Sequence, residues 1–266
     1  MGASFLITLR EGLEIAIVLA LSLGASAAYS IVSLLAKLTA AQGLAGSKTT
    51  LNTSASQVAW VDLAYQLMGI FFGLAPVALV LYLLWQTWGR ETWTRVGLAV
   101  GAKTSAGAGQ LATAALRGLL LAAAIGIPGL ALYVGARLLG LSAKVVPTAL
   151  NEHWWTITIL LLLAAKAALL EEAIALGYLF DRLTALGISS RWIIGCSALL
   201  RGTYHLYQGI GGFVGNLVMG LVFGWYYERQ RGKSPTALWP MVVAHFALDA
   251  VVFVGYALID LSHVLP

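Results

Sequence analysis

Charged side chains are scarce in this chain: 16 Lys and Arg and 11 Asp and Glu occur in 266 residues, while 60% of the residues are hydrophobic. A soluble domain carries roughly 25% charged residues. So few charges cannot clothe an apolar core in polar surface, which excludes a water-soluble globular protein and points to a polytopic membrane protein. Cysteine is nearly missing as well. Cys196 stands alone in a hydrophobic segment, excluding a disulfide framework and a cysteine metal site. No HExxH string occurs, which removes the commonest zinc-hydrolase signature. No internal repeat stands out, which disfavours inverted-repeat transporter folds. Basic residues exceed acidic ones by five, but they are scattered at helix ends, so membrane topology rather than nucleic-acid binding explains them. The opening "MGASFLITLREGLE" puts Arg10, Glu11 and Glu14 where a signal peptide would have its apolar stretch. The first apolar segment is therefore expected to be a retained helix.

What is present is a series of apolar runs. A span needs about 20 mostly apolar residues, and seven candidates lie near 14–38, 58–85, 115–139, 154–181, 192–208, 212–227 and 238–260. The expected fold is an all-α polytopic bundle of about seven to eight transmembrane helices. The stretch 39–57 is small, polar and loop-like, and 86–114 reads as a longer connection with an amphipathic or re-entrant piece. Seven spans with the N-terminus inside put Arg10, Arg90, Arg95, Lys103, Arg117, Arg182, Arg191, Arg229, Arg231 and Lys233 on the cytoplasmic side. Lys37, Lys48, Arg137 and Lys144 then fall outside, so this orientation satisfies the positive-inside rule. "GIFFG" (Gly69, Gly73) and "GLVFG" (Gly220, Gly224) have the small-xxx-small spacing of close helix packing.

Intramembrane charges stand out against this background, because each costs at least about 2.5–3.5 kcal/mol and needs a partner or a role. They are Glu171 and Glu172 on the fourth apolar run, Arg201 and His205 on the fifth, and His245 and Asp249 on the seventh; Lys166 and Asn216 are less telling. At about 1.5 Å per residue, the depths of Glu171, His205 and His245 are compatible with one site in the inner half of the membrane. Arg201 and His205 are four apart, as are His245 and Asp249, so each pair shares a helix face. Glu171 and Glu172 point about 100° apart and cannot do the same job.

Three segments, "LLEEAIALGYLFDRL", "SALLRGTYHLYQGIGGFVGNLVMGLVFGWYYER" and "LWPMVVAHFALDAVVF", resemble the signature regions of the CPBP intramembrane proteases, the Abi family related to CAAX endopeptidases. The family pattern is Glu-Glu-xxx-Arg, then Phe-xxx-His, then His-xxx-Asn/Asp. The resemblance implies a protease core over 115–266, preceded by N-terminal membrane helices and a connecting segment over 1–114, in a single membrane domain. It implies that Glu171 activates water with His205, and that His245 and Asp249 complete the site. Two positions depart from the pattern: Leu176 stands where the motif has Arg, and Arg201 where it has Phe. Arg201 is expected to supply the missing cation to Glu172 from the neighbouring helix.

The chemistry suits these residue types. A carboxylate can take the proton of water and return it to a leaving amine, a histidine can orient the water, and an N–H can meet the oxyanion. No cofactor is favoured. Zinc or another divalent metal on Glu171, His205 and His245 is the alternative, because two His and a carboxylate make an acceptable catalytic zinc set. The expected partners are a membrane protein or peptide substrate and the lipid bilayer, with no nucleic acid. The expected location is the plasma membrane, with the N-terminus cytoplasmic. Two rival functions remain. One is a non-enzymatic scaffold or immunity protein of the same fold. The other is an ion permease, because "LREGLE" (Arg10 to Glu14) resembles the Arg-Glu-x-x-Glu string of iron permeases. That string is not repeated, and its placement at a helix start favours an N-terminal cap.

Overall fold

A computed structural model describes residues 2–99 and 105–258. Lys103 and the end of the seventh apolar run lie outside them. The apolar runs form helices because lipid offers no hydrogen-bond partners to a bare backbone. In chain order these are α1 (Gly2–Ala20), α2 (Leu23–Thr39), α3 (Ala59–Gly73), α4 (Ala75–Trp88), α5 (Thr92–Val96), α6 (Ser105–Leu138), α7 (Thr156–Glu172), α8 (Leu179–Ala185), α9 (Ser190–Tyr204), α10 (Ile210–Gln230) and α11 (Trp239–Leu258). Phe71, Ile127 and Val251 are each more than 70% exposed, as expected of side chains that face lipid rather than water.

Of the expected seven to eight spans, four to five are long and apolar enough among the described residues. Among the described residues, the stretches Ala59–Val96, Gly107–Leu138, Ile210–Gln230 and Trp239–Leu258 are long and apolar enough to cross a membrane. Leu9–Ala20 and Leu23–Thr39 would make a fifth span as a pair bent by 52°. The bend has a local cause: the Ser22 hydroxyl donates to the Val18 carbonyl at 2.6 Å, competing with the backbone ladder. The helix over 59–88 breaks at Leu74, two residues before Pro76, which fits the first turn of a new helix but not the middle of an old one. The run expected at 192–208 is shorter than expected, because α9 ends at Tyr204 and the chain turns through a 3-10 segment, Leu206–Gln208.

The stretch 39–57, expected as a loop, contains strand β1 (Lys48–Thr53). It pairs in parallel with β2 (Lys144–Ala149), matching Lys48 to Lys144. The all-α expectation thus holds for the bundle but misses this ribbon. Lys37, Lys48, Arg137 and Lys144 belong to the ribbon end: Lys37 bonds Thr49, and Arg137 bonds the carbonyls of Ala45 and Ser142. At the other end Arg231 reaches Thr184, Arg95 pairs with Asp181, and Ser190 bonds Glu228.

The core that carries the site is built around the helix 156–185. After Glu172 this helix widens into a π segment, Ala173–Tyr178, before continuing as α8. All six π residues are buried among Val80 and Leu84 of α4, Phe223 and Tyr227 of α10, and Leu238 and Met241. Leu176, the position of the motif arginine, is one of these core residues. On α10, Gly220 faces Ala198 so closely that a Cβ would sit 2.8 Å from its Cα, which brings α10 against the arginine-bearing face of α9.

Candidate active site

Glu171 and Glu172 end α7 and face different surroundings. Glu172 is completely buried. Its Oε1 accepts hydrogen bonds from Arg201 Nη2 at 2.5 Å and His245 Nδ1 at 2.7 Å. Arg201 is itself buried, with its guanidinium 5.4 Å from the Phe223 ring. A buried charge needs such a partner, because stripping its water costs several kcal/mol. The cation that Leu176 cannot supply to Glu172 thus comes from α9.

Glu171 keeps about 15% of its side chain exposed. Its Oε2 accepts the Tyr204 hydroxyl at 2.7 Å and lies 3.5 Å from Arg201 Nη1 and 3.9 Å from His245 Nε2. His205 and His245 both interact electrostatically with it. His205 caps α9 and places its Nδ1 3.0 Å from the Arg201 carbonyl. A carbonyl can only accept, so Nδ1 carries the hydrogen, and in the neutral ring Nε2 is the free acceptor. The bond from His245 Nδ1 to Glu172 likewise fixes the second ring, leaving its Nε2 3.5 Å from Asp249 Oδ2. That contact is looser than a hydrogen-bonded dyad, and 27% of the Asp249 side chain is exposed.

The six sequence-named residues are therefore gathered by α7, α9 and α11. Two groups escaped the sequence reading. Tyr204 holds Glu171, and its only sequence signal is that it precedes His205. Lys37, from α2, donates to the Tyr207 carbonyl just beyond His205 and to Thr49 Oγ1 at 2.6 Å. Thr49 Oγ1 also donates to the Tyr207 carbonyl, and Ser30 Oγ accepts from the Tyr207 N–H. This turn depends on Gly209 at φ +103°, where a Cβ would lie 2.7 Å from Ser142 Cα. Lys166 packs its stem on Gly73 and interacts electrostatically with Glu171 and Asp249. Asn216 bonds the Gly212 carbonyl on its own helix.

Among the described residues, no group of three or more His, Cys, Asp or Glu side chains is arranged to hold a metal. The Nδ1 atoms of His205 and His245 are engaged by protein groups, which leaves Nε2 as the free atom of each ring. As arranged, Glu171, His205 and His245 do not form such a group.

The permease-like string also takes a different place from the expected cap. Helix α1 starts at Gly2, so Arg10–Glu14 lies in mid-helix. Glu14 Oε1 accepts Arg182 Nε at 2.8 Å and the Tyr178 hydroxyl at 2.9 Å. It anchors the far end of the π segment.

Fold and site together define a polytopic helical membrane protein with a buried cluster of carboxylates, imidazoles and a guanidinium. Residues 153–251 match the family model described as Type II CAAX prenyl endopeptidase Rce1-like. This match supports assignment of the chain to the CPBP/CAAX protease family, and the family implies a protease. No curated protein and no solved structure matches the chain.

Proposed function

We propose that the protein is an intramembrane endopeptidase that hydrolyses peptide bonds of membrane-associated proteins or peptides, with 115–266 as its protease core and 1–114 as supporting helices. The observation that carries this reading is the division of labour between the two glutamates. Glu172 is fully buried and bonded directly by Arg201 and His245, whereas Glu171 is hydrogen-bonded by Tyr204, has Arg201 only at 3.5 Å, and remains partly accessible beside two imidazoles.

Glu171, with the free Nε2 of His205, orients and deprotonates a water. The resulting hydroxide attacks the scissile carbonyl carbon. His245 donates through Nδ1 to Glu172 and meets the oxyanion as an imidazolium, whose second N–H on Nε2 is the free donor, with Asp249 beside it. Collapse of the tetrahedral intermediate breaks the C–N bond as Glu171 returns its proton to the amine. Tyr204 positions Glu171, and Arg201 neutralises Glu172. The plasma membrane is the proposed location, with the N-terminus and the Arg229–Lys233 end cytoplasmic.

The rival scaffold or immunity reading rests on Leu176, which leaves the motif without its arginine. Mass spectrometry of membrane peptides from cells carrying wild type or Glu171→Ala separates the two. Peptides that vanish in the variant, at equal protein level, support proteolysis. Identical peptide sets and an intact phenotype support the scaffold.

A further inference from the structure

A cavity of about 400 Å³ lies away from the catalytic cluster, at the end opposite the ribbon. Its walls come from the early turns of α6, the last turns of α10 and the loop into α11. Its polar lining comes from Arg117, Gln110 and Thr113 of α6, Gln230 of α10, and Ser234 and Thr236 of the loop. Among the described residues, no carboxylate lines it. Among the described residues, the Arg117 guanidinium and the side-chain amides of Gln110 and Gln230 have no hydrogen-bond or ion-pair partner. The cavity is thus rich in unused donors around one uncompensated positive charge.

Its depth follows from α6. The uncharged run 118–136 separates Arg117 from Arg137, and at 1.5 Å per residue it covers about 28 Å, close to the hydrocarbon thickness. Arg117 therefore sits at the membrane boundary, where headgroup phosphates lie. On the same end, Arg229 packs over the Trp225 ring at 4.2 Å, an interfacial pairing of cation and aromatic.

We propose that this cavity binds a phosphate-bearing group of net negative charge, with Arg117 as the charge and the Gln110 and Gln230 amides as supporting donors. The ligand is an anionic phospholipid or a soluble phosphate ester, and the site is independent of the proposed peptidase reaction. The test uses the full chain in neutral detergent, with affinities measured by native mass spectrometry for phosphatidylglycerol, phosphatidylcholine and glycerol phosphate. Phosphatidylglycerol should bind wild type at least about tenfold more tightly than Arg117→Gln. Arg191→Gln, at the same end but outside the cavity, should match wild type. Glycerol phosphate binding as tightly as the lipid supports the soluble source, and much weaker binding supports the lipid. Gln110→Leu/Gln230→Leu, which keeps the charge, should also weaken binding and serves if Arg117→Gln does not fold. Equal affinity for phosphatidylcholine, or equal losses in Arg117→Gln and Arg191→Gln, overturns the site.

Discussion

The chain carries two acidic strings that look alike on paper, Arg10–Glu14 and Glu171–Glu172, and the structure gives them different neighbours. Glu14 accepts a guanidinium and a phenol on one oxygen, both from the helix it braces, with about 19% of its side chain exposed. Glu171 is about as exposed, at 15%, but the Tyr204 phenol is its hydrogen bond, the Arg201 guanidinium stands off at 3.5 Å, and His245 approaches to 3.9 Å. The difference lies in the partners and not in exposure: direct bonds to one helix make Glu14 a strut, and the looser contacts of Glu171 leave it acceptor capacity for water. The two meet through one element, since the π segment 173–178 begins next to Glu172 and ends on Tyr178, the partner of Glu14. Such π turns are frequent at functional sites. Here the turn is tied at one end to the cluster of carboxylates and imidazoles and at the other to α1.

Breaking the cluster side should cost most. Arg201→Ala leaves Glu172 buried without its guanidinium, and Glu172→Gln leaves Arg201 only the looser 3.5 Å contact with Glu171. Each should destabilise by about 3–5 kcal/mol, read as a lower thermal midpoint in detergent. The double variant should recover much of the loss, whereas additive losses would break the claim that the pair acts as a unit. Glu14→Gln on the strut side removes a part-buried anion from Arg182 and should cost about 1–3 kcal/mol. It should lower stability and activity together and leave no iron uptake to lose in proteoliposomes. Iron transport abolished by this change would reverse the strut assignment. Tyr204→Phe should cost about 1.5–3 kcal/mol of stability, the worth of a hydrogen bond to a charged group, and lower kcat by about tenfold. Lys37→Met should have the smallest effect, a few-fold loss of kcat with KM unchanged, since Thr49 and Ser30 still hold the turn beyond His205. Rescue by Lys37→Arg would mark the donor as the relevant feature.

Much of the bundle was legible because apolar length alone dictates helix in lipid. Every expected apolar run contains helix. The breaks were harder, since a hydroxyl at Ser22 and a proline at Pro76 interrupt runs that hydropathy reads as continuous. The ribbon was invisible because Lys48–Thr53 and Lys144–Ala149 are short, and their pairing joins segments 96 positions apart. At the site, charges inside apolar runs disclosed Glu171, Glu172, Arg201, His205, His245 and Asp249. Helix spacing could not say which glutamate His245 would bond, nor that Tyr204 would hold the other. Those contacts are set by the packing of α7, α9 and α11, including the close approach at Gly220.

The central claim is that Glu171 is the water-activating base and Glu172 is not. The direct measurement is the initial rate of cleavage of a membrane-derived peptide, identified from the wild-type comparison, by purified protein carrying Glu171→Gln, with thermal midpoint recorded on the same sample. The account predicts a loss of at least about a hundredfold in kcat at a nearly unchanged midpoint, because the amide carbonyl can still accept from Tyr204. Cleavage by Glu171→Gln at the wild-type rate would contradict it.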